Sequence, residues 1–339
     1  MHMPNEVLSP QVAGGFIAAG VVGLGLATLR ARRTFHDSRV PMMGVMGAFV
    51  FAAQMVNFQI LGGSSGHLGG GVLLAILLGP HVAALVMAAI LTVQCLIFND
   101  GGLLALGCNV FNMGLLAPYV GYAVYRAVLG RRAEGTSAGR LYVASFAGAL
   151  AGVTAGAAAV PVQIALSGMS AVPFPTFFVV MVGVHLLIGA VEGVITFAVV
   201  LYLVQVRPDV LDVAVTTGRE RVSRGAVAVS VAIFALFVGG LVSLAASELP
   251  DGLEWLTEEK AYAKPAQAAH ARHPVMEEVS GWQERTAPLP DYSVRGQEPP
   301  PYWTSVAGVV GTLATLGVVY VLAVVVRRRQ PAGGSGEVG

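Results

Sequence analysis

The residues best placed to do chemistry stand first, at Met1-His2-Met3-Pro4. A free α-amine, the amide nitrogen of His2 and the imidazole of His2 can close two fused rings on one cation. Three nitrogens then lie nearly in a plane with one corner open, a geometry that suits Ni(II), Cu(II) or low-spin Co(II). The amine and the amide lose protons on binding, so affinity should rise with pH. The opening residues lack the basic n-region of a cleaved signal, so the leader is expected to be retained. The candidate for the open corner is His67, in Gly62-Gly63-Ser64-Ser65-Gly66-His67-Leu68-Gly69-Gly70-Gly71. Glycines let backbone approach backbone there. The hydroxyls of Ser64 and Ser65 are expected to orient the His67 ring, with Asn57 and Gln94 as further support. Either histidine alone reads as a solvated loop residue; two on one face make a site.

Whether they share a face depends on the elements between them. Hydrophobic residues make up 55% of the 339 and charged residues 12%. Soluble domains carry roughly twice that charge, so the chain reads as all-α and membrane-embedded. A net charge of +1 gives no reason to expect nucleic acid. Apolar runs predict about nine spans, over residues 12–29, 41–57, 68–79, 81–98, 103–128, 141–166, 174–206, 226–246 and 303–326. Arginines follow the first, fifth, seventh and ninth of these, and the loops after the second, fourth and sixth contain neither Lys nor Arg. The positive-inside rule then puts the N-terminus and the His67 loop outside and the C-terminus in the cytoplasm of a plasma membrane.

Other polar residues divide into expectations of different kinds. Gln54, Asn57, Gln94, Asn109 and Asn112 lie near span ends and could clamp the leader, or simply bond helix to helix. His185 and Glu192 share a helical face and are expected to pair, because an isolated carboxylate is expensive in hydrocarbon. His81 is expected at the cytoplasmic interface. Cys95 and Cys108 read as packing residues, and Met42, Met43, Met46 and Met55 as core filling rather than a copper path. Small residues spaced by four on the first span (Gly14, Ala18; Gly15, Ala19, Gly23) and the second (Gly44, Ala48, Ala52) allow close helix docking. Segment 247–301, with Glu248, Asp251, Glu254, His270 and His273, reads as a solvated outer linker.

Several stretches resemble one family. They are Met1-His2-Met3-Pro4 with Leu8-Ser9-Pro10, Val50-Phe51-Ala52-Ala53-Gln54-Met55-Val56-Asn57-Phe58, the Gly-Ser-Gly-His loop, Asp100-Gly101-Gly102 and Asn109-Val110-Phe111-Asn112-Met113. Together they look like the CbiM/NikM substrate-capture (S) components of energy-coupling factor transporters for cobalt and nickel. Asn5-Glu6-Val7 departs from the family's usual Asp-Gly-Phe without touching a ligand. Pro250-Asp251-Gly252-Leu253-Glu254-Trp255 is similar to the signature of the small NikN/CbiN subunit, so the chain resembles a fused NikMN. The resemblance implies a metal domain over residues 1–206, a cytoplasmic linker 207–225, and a tail 226–329 of two helices around an outer segment 247–302. It implies about seven helices in the first part and two in the tail. It implies a cation held by Met1, His2 and His67, with nickel favoured by the fusion. It implies partners: a NikQ/CbiQ-like coupling subunit, which the second-span face is expected to meet, and NikO/CbiO-like ATPases. The cation is substrate; no cofactor and no enzymatic activity are expected.

No Gly-x-x-x-x-Gly-Lys-Ser/Thr phosphate cradle occurs, so energy must come from partners or a gradient. The rival expectations are cobalt uptake for cobamide synthesis, a gradient-driven secondary carrier, and an intramembrane enzyme using His185 and Glu192.

Overall fold

The computed structural model describes residues 2–34, 40–60, 64–130, 136–169, 172–206, 223–247, 249, 251, 253, 273–295 and 302–326. Met1, most of the linker 207–225, Arg39, Arg327–Arg329, His270 and most of the Pro250–Trp255 stretch lie outside them. The helices are α1 (Pro10–Thr34), α2 (Val40–Gln54), α3 (Gly71–Leu78) and α4 (Pro80–Phe98). Then come the short α5 (Leu106–Asn109), which continues through π-helical turns at Val110–Leu116 into α6 (Ala117–Leu129), and α7 (Ala138–Ser167) and α8 (Phe174–Val206). The tail supplies α9 (Arg224–Gly240), α10 (Pro274–Thr286) and α11 (Tyr302–Val326). The expected all-α bundle is what forms, and the protein is an integral membrane protein. Among the described residues 6 helices are long and apolar enough to cross a membrane, fewer than the nine spans expected. The reason lies in the second, third and fifth runs. The second is a helix of 15 residues, and the fifth is broken by the π-helical turns.

The third run matters most for the site. Helix α3 has 8 residues, all buried; at 1.5 Å per residue it is about 12 Å long, against a hydrocarbon core of roughly 30 Å. The backbone ahead of it therefore lies below the membrane surface. Irregular backbone at such depth persists only where protein surrounds it. Gly70 starts α3 at φ +74°, and a side chain there would run into Val50, so only glycine fits. Before it, a two-stranded antiparallel hairpin, β1 (Phe58–Ile60) and β2 (Ser64–Gly66), turns the chain inward.

Small residues set the helix packing. Gly148, Gly152 and Gly156 of α7 lie against Gly121, Ala117 and Asn112, while Gly189 and Gly193 of α8 lie against Leu150 and Phe146. The small face of α2 is occupied within the chain: Gly44 faces Leu316 and Gly47 faces Val319 of α11. The expectation that this face meets a coupling subunit is therefore corrected. A fused tail supplies apolar surface at high effective concentration and covers that face first. Along α1, by contrast, Val21, Val22, Leu26 and Leu29 remain exposed, as lipid-facing side chains would be.

The reading of segment 247–301 is also corrected. That segment is no solvated linker over its described length, because α10 packs on the leader and Leu253, Met276 and Gln283 are buried. The arginine-bearing helix ends gather at the opposite end of the bundle. Arg32 donates to the carbonyl of Val325, and Arg140 to that of Val128.

Candidate cation site

The leader threads into one end of the bundle and is held by side chains from three directions. Asn109 accepts from the Met3 N–H at 2.8 Å and donates to the Met3 carbonyl at 3.2 Å. Asn112 donates to Met3 Sδ at 3.7 Å and exchanges two hydrogen bonds with Gln163. The π-helical turns shift the phase of side chains along the helix, and both asparagines end buried at the leader. Asn5, 1% exposed, accepts from the N–H groups of Leu104 and Ala105 and donates to Ser280 and Gln283 of α10. Gly102 donates its N–H to the Met3 carbonyl, and a Cβ at Gly102 would collide with the Asn5 side chain and backbone. We expect Gly102→Ala to push the leader aside. Overpacking of this kind costs about 1–3 kcal/mol, read as a roughly 10–100-fold loss of nickel affinity in a calorimetric titration. The melting temperature should stay close to wild type, since the clash is relieved by moving the leader and not the bundle.

These contacts bring His2 beside His67. The two rings are stacked, with centroids 5.2 Å apart and planes 21° apart. Imidazoles sharing a cation through bonds of about 2 Å hold their centres roughly 4–6 Å apart. His2 Nε2 lies 3.1 Å from Gln94 Oε1. Gln94 donates its amide to Gln54, which donates to the Gly69 carbonyl. That relay leaves Gln94 Oε1 as an acceptor, while Nδ1 faces Asp100 Oδ1 at 3.2 Å; with the ring proton on Nε2, toward Gln94, the lone pair stands on Nδ1. His67 Nδ1 lies 3.0 Å from the Leu68 carbonyl and donates to it, which leaves Nε2 unprotonated. Burial lowers the pKa of both histidines, opposed at His2 by the Asp100 carboxylate. His67 is pushed down to about 4, by burial first and by His2 further. Both rings are therefore neutral ligands near pH 7.

Glu192 of α8 holds the His67 loop from below. Its carboxylate accepts from the N–H of Gly69 at 2.6 Å and of Gly70 at 3.1 Å. The expected His185–Glu192 pair is corrected: His185 Nδ1 lies 2.8 Å from the Met181 carbonyl one turn back. Seven residues along a helix rise about 10 Å, too far for these side chains to meet, and each found backbone partners instead. Both are buried.

Gln94 thus touches His2, but Ser64, Ser65 and Asn57 do not support His67 as expected. Ser65 donates to the Leu249 carbonyl at 2.6 Å, and the hydroxyl of Ser64 and the side-chain oxygen of Asn57 have no hydrogen-bond partner. Adjacent strand residues point to opposite faces, and both serines precede the turn that re-aims the chain at His67. Asn57 serves through its backbone, accepting from the N–H of Ser247. His81 bonds Tyr119 away from the site, and Cys95 and Cys108 are free and buried. Sequence reading missed Asn5, Gln163, Gln283 and Tyr292. Gln163 stood out as a polar residue in an apolar run; Gln283 and Tyr292 carried no signal, lying in a stretch that reads as solvated. Among the described residues no cluster of three His, Cys, Asp or Glu side chains could hold an ion.

Comparison with known proteins gives the family. Residues 2–210 match the family CbiM, cobalt uptake substrate-specific transmembrane region, and residues 225–328 match the PDGLE domain. A protein of Archaeoglobus fulgidus, named by inference as a fused nickel transport protein NikMN, is 34% identical over 329 residues, 95% of this chain and 98% of its own. The fused nickel transport protein NikMN of Rhodobacter capsulatus is 30% identical over 223 residues, 62% of this chain and 64% of its own. A solved truncated transition metal transporter superposes with a TM-score of 0.53 at 35% identity, covering 60% of this chain and 98% of that one. The chain belongs to the CbiM family of cobalt uptake substrate-specific transmembrane regions and carries a PDGLE domain behind it, which makes it a membrane transport protein of the cobalt and nickel type.

Proposed function

We propose that this chain is the substrate-capture subunit of an ATP-driven energy-coupling factor transporter that imports nickel. The cation is held by the Met1 amine, the amide nitrogen and Nδ1 of His2, and Nε2 of His67. The observation that carries this is the pair of partly buried, stacked imidazoles at the end of the leader, with His67 Nδ1 committed to the Leu68 carbonyl and its Nε2 left with a lone pair. Nδ1 is the His2 nitrogen that closes a six-membered ring with its own amide, so the Gln94 relay favours the chelating tautomer. Planar nitrogen coordination suits Ni(II) and excludes the hard, oxygen-seeking Ca(II) and Mg(II).

Residues 1–206 capture the ion, 207–225 connect in the cytoplasm, and 226–329 brace the leader through α10. The N-terminus and the site face outward across a bacterial plasma membrane. Coupling rests on a NikQ/CbiQ-like membrane subunit and NikO/CbiO-like ATPases. The names of the fused relatives favour nickel; the family's description keeps cobalt as the second reading. Uptake of each ion in cells, with and without the ATPase partners, separates the two. It also separates both from a gradient-driven carrier, which would need no ATPase.

The reading requires a free amine on Met1. One alanine added ahead of it displaces the amine and alters no side chain of the site. Nickel affinity should fall at least about a hundredfold, as for the loss of any one of four ligands. Wild-type affinity in the extended protein, with its extra residue confirmed by mass spectrometry, would sink the chelate.

A further inference from the structure

One carboxylate at the site has been given no task. Asp100, in the turn after α4, places Oδ1 at 3.2 Å from His2 Nδ1. With the ring proton on Nε2, toward Gln94, as the chelate reading has it, lone pair and carboxylate face each other. Two acceptors at this distance repel unless something positive lies between them or beside them. The second carboxylate oxygen accepts from the Tyr292 hydroxyl at 2.5 Å. Tyr292 belongs to the tail, stacks on Phe98 at 4.6 Å, and sits at φ 57° beside Asp291 at φ 50°. Left-handed backbone at two successive non-glycine residues, one of them aromatic, is costly and persists only where the surroundings impose it. Here the imposing contacts are the Phe98 stack, the Leu289 N–H to the Ile97 carbonyl, and the bond to Asp100. The backbone is held in an unfavourable state in order to keep one hydroxyl on one carboxylate.

Charge counting says what that carboxylate is for. This step rests on the chelate reading above. A divalent cation, one deprotonated amide, a neutral amine and two neutral imidazoles leave one positive charge in a buried pocket. A buried unbalanced charge is expensive. Asp100 is the carboxylate in contact with a ligand ring; Glu192 holds Gly69 and Gly70, and Asp251, which accepts from the Leu253 N–H, acts on His2 less than Asp100 does. We propose that Asp100 is the charge-balancing residue of the cation site, its carboxylate held at His2 by Tyr292 and bringing the loaded site to neutrality without joining the planar nitrogen set. Asp100 keeps 25% of its side chain exposed, so it is also the negative group an arriving cation meets from the outside.

The test is a set of nickel titrations on the full-length protein in detergent, with absorption spectra of the saturated samples. Asp100→Asn should weaken binding about 10–100-fold, the range for groups that support a metal ligand. It should leave the planar-nitrogen spectrum and the melting temperature at wild-type values. Tyr292→Phe should weaken binding up to about tenfold, and most of that loss should vanish in the Asp100→Asn background, because the Tyr292 hydroxyl donates to that carboxylate. Asp291→Asn removes a nearby carboxylate that does not touch His2 and should bind as wild type. Unchanged affinity in Asp100→Asn overturns the proposal. So does a changed spectrum, which would make Asp100 a builder of the ligand set, and so does an equal loss in Asp291→Asn, which would make the effect a general field. If Asp100→Asn does not fold, Tyr292→Phe decides, since wild-type affinity there overturns the proposal. Failure of the chelate itself looks different: wild-type protein without a planar-nitrogen spectrum, or His67→Ala binding as wild type.

Discussion

Alanine in place of His67 is expected to lower nickel affinity at least about a hundredfold and to leave the bundle folded. A four-ligand site worth about 10–16 kcal/mol carries roughly 3 kcal/mol per ligand, and about 1.4 kcal/mol is a factor of ten. Stability should change little, because the His67 ring stacks on His2 and bonds only the Leu68 carbonyl next door. The Gly69–Glu192 and Gly69–Gln54 bonds that hold the loop do not involve it. Titration calorimetry and a melting curve on the same sample check the two halves separately. A variant that still binds at wild-type affinity would remove His67 from the site, however well placed its ring.

Glu192→Ala should have the opposite balance, with stability and binding falling together. The substitution strips the acceptor from two buried N–H groups at Gly69 and Gly70. Hydrogen bonds to a charged group contribute about 1.5–3 kcal/mol each, so a loss of about 3 kcal/mol or more is expected. A melting curve without metal reads this loss directly. The loop that starts α3 would then lose its register under His67, so nickel affinity falls as well. Glu192→Gln keeps one acceptor and should lie between. Near-normal stability in Glu192→Ala would mean that water replaces the carboxylate, and that α8 does not position the loop.

Much of this protein is legible in its residues because the bilayer leaves few choices. Long apolar runs between arginine clusters can only be helices, since backbone groups in hydrocarbon must bond within their own segment. The two histidines and the polar set Gln54, Gln94, Asn109 and Asn112 could be named for the same reason: polar groups in such surroundings are costly and therefore few. What they bond could not be named. All four hold the leader or the His67 loop through hydrogen bonds, while Asn57, named with them from the sequence, acts through its carbonyl. Ser64 and Ser65 looked like supports for His67 by adjacency alone, and strand geometry turned them elsewhere.

What only the tertiary structure decided are the long-range pairings. Glu192 bonds a loop more than a hundred residues away instead of the histidine on its own face. Gln283, from a stretch that reads as solvated, bonds Asn5, Leu103, Cys95 and Gly101, and Tyr292 reaches Asp100. The physical reason is that hydropathy and helical period report which side of an element is buried, and carry nothing about which distant group will bury it. The sequence by itself determined a membrane bundle with two histidines at one end. The packing of the tail over that end decided which atoms surround them.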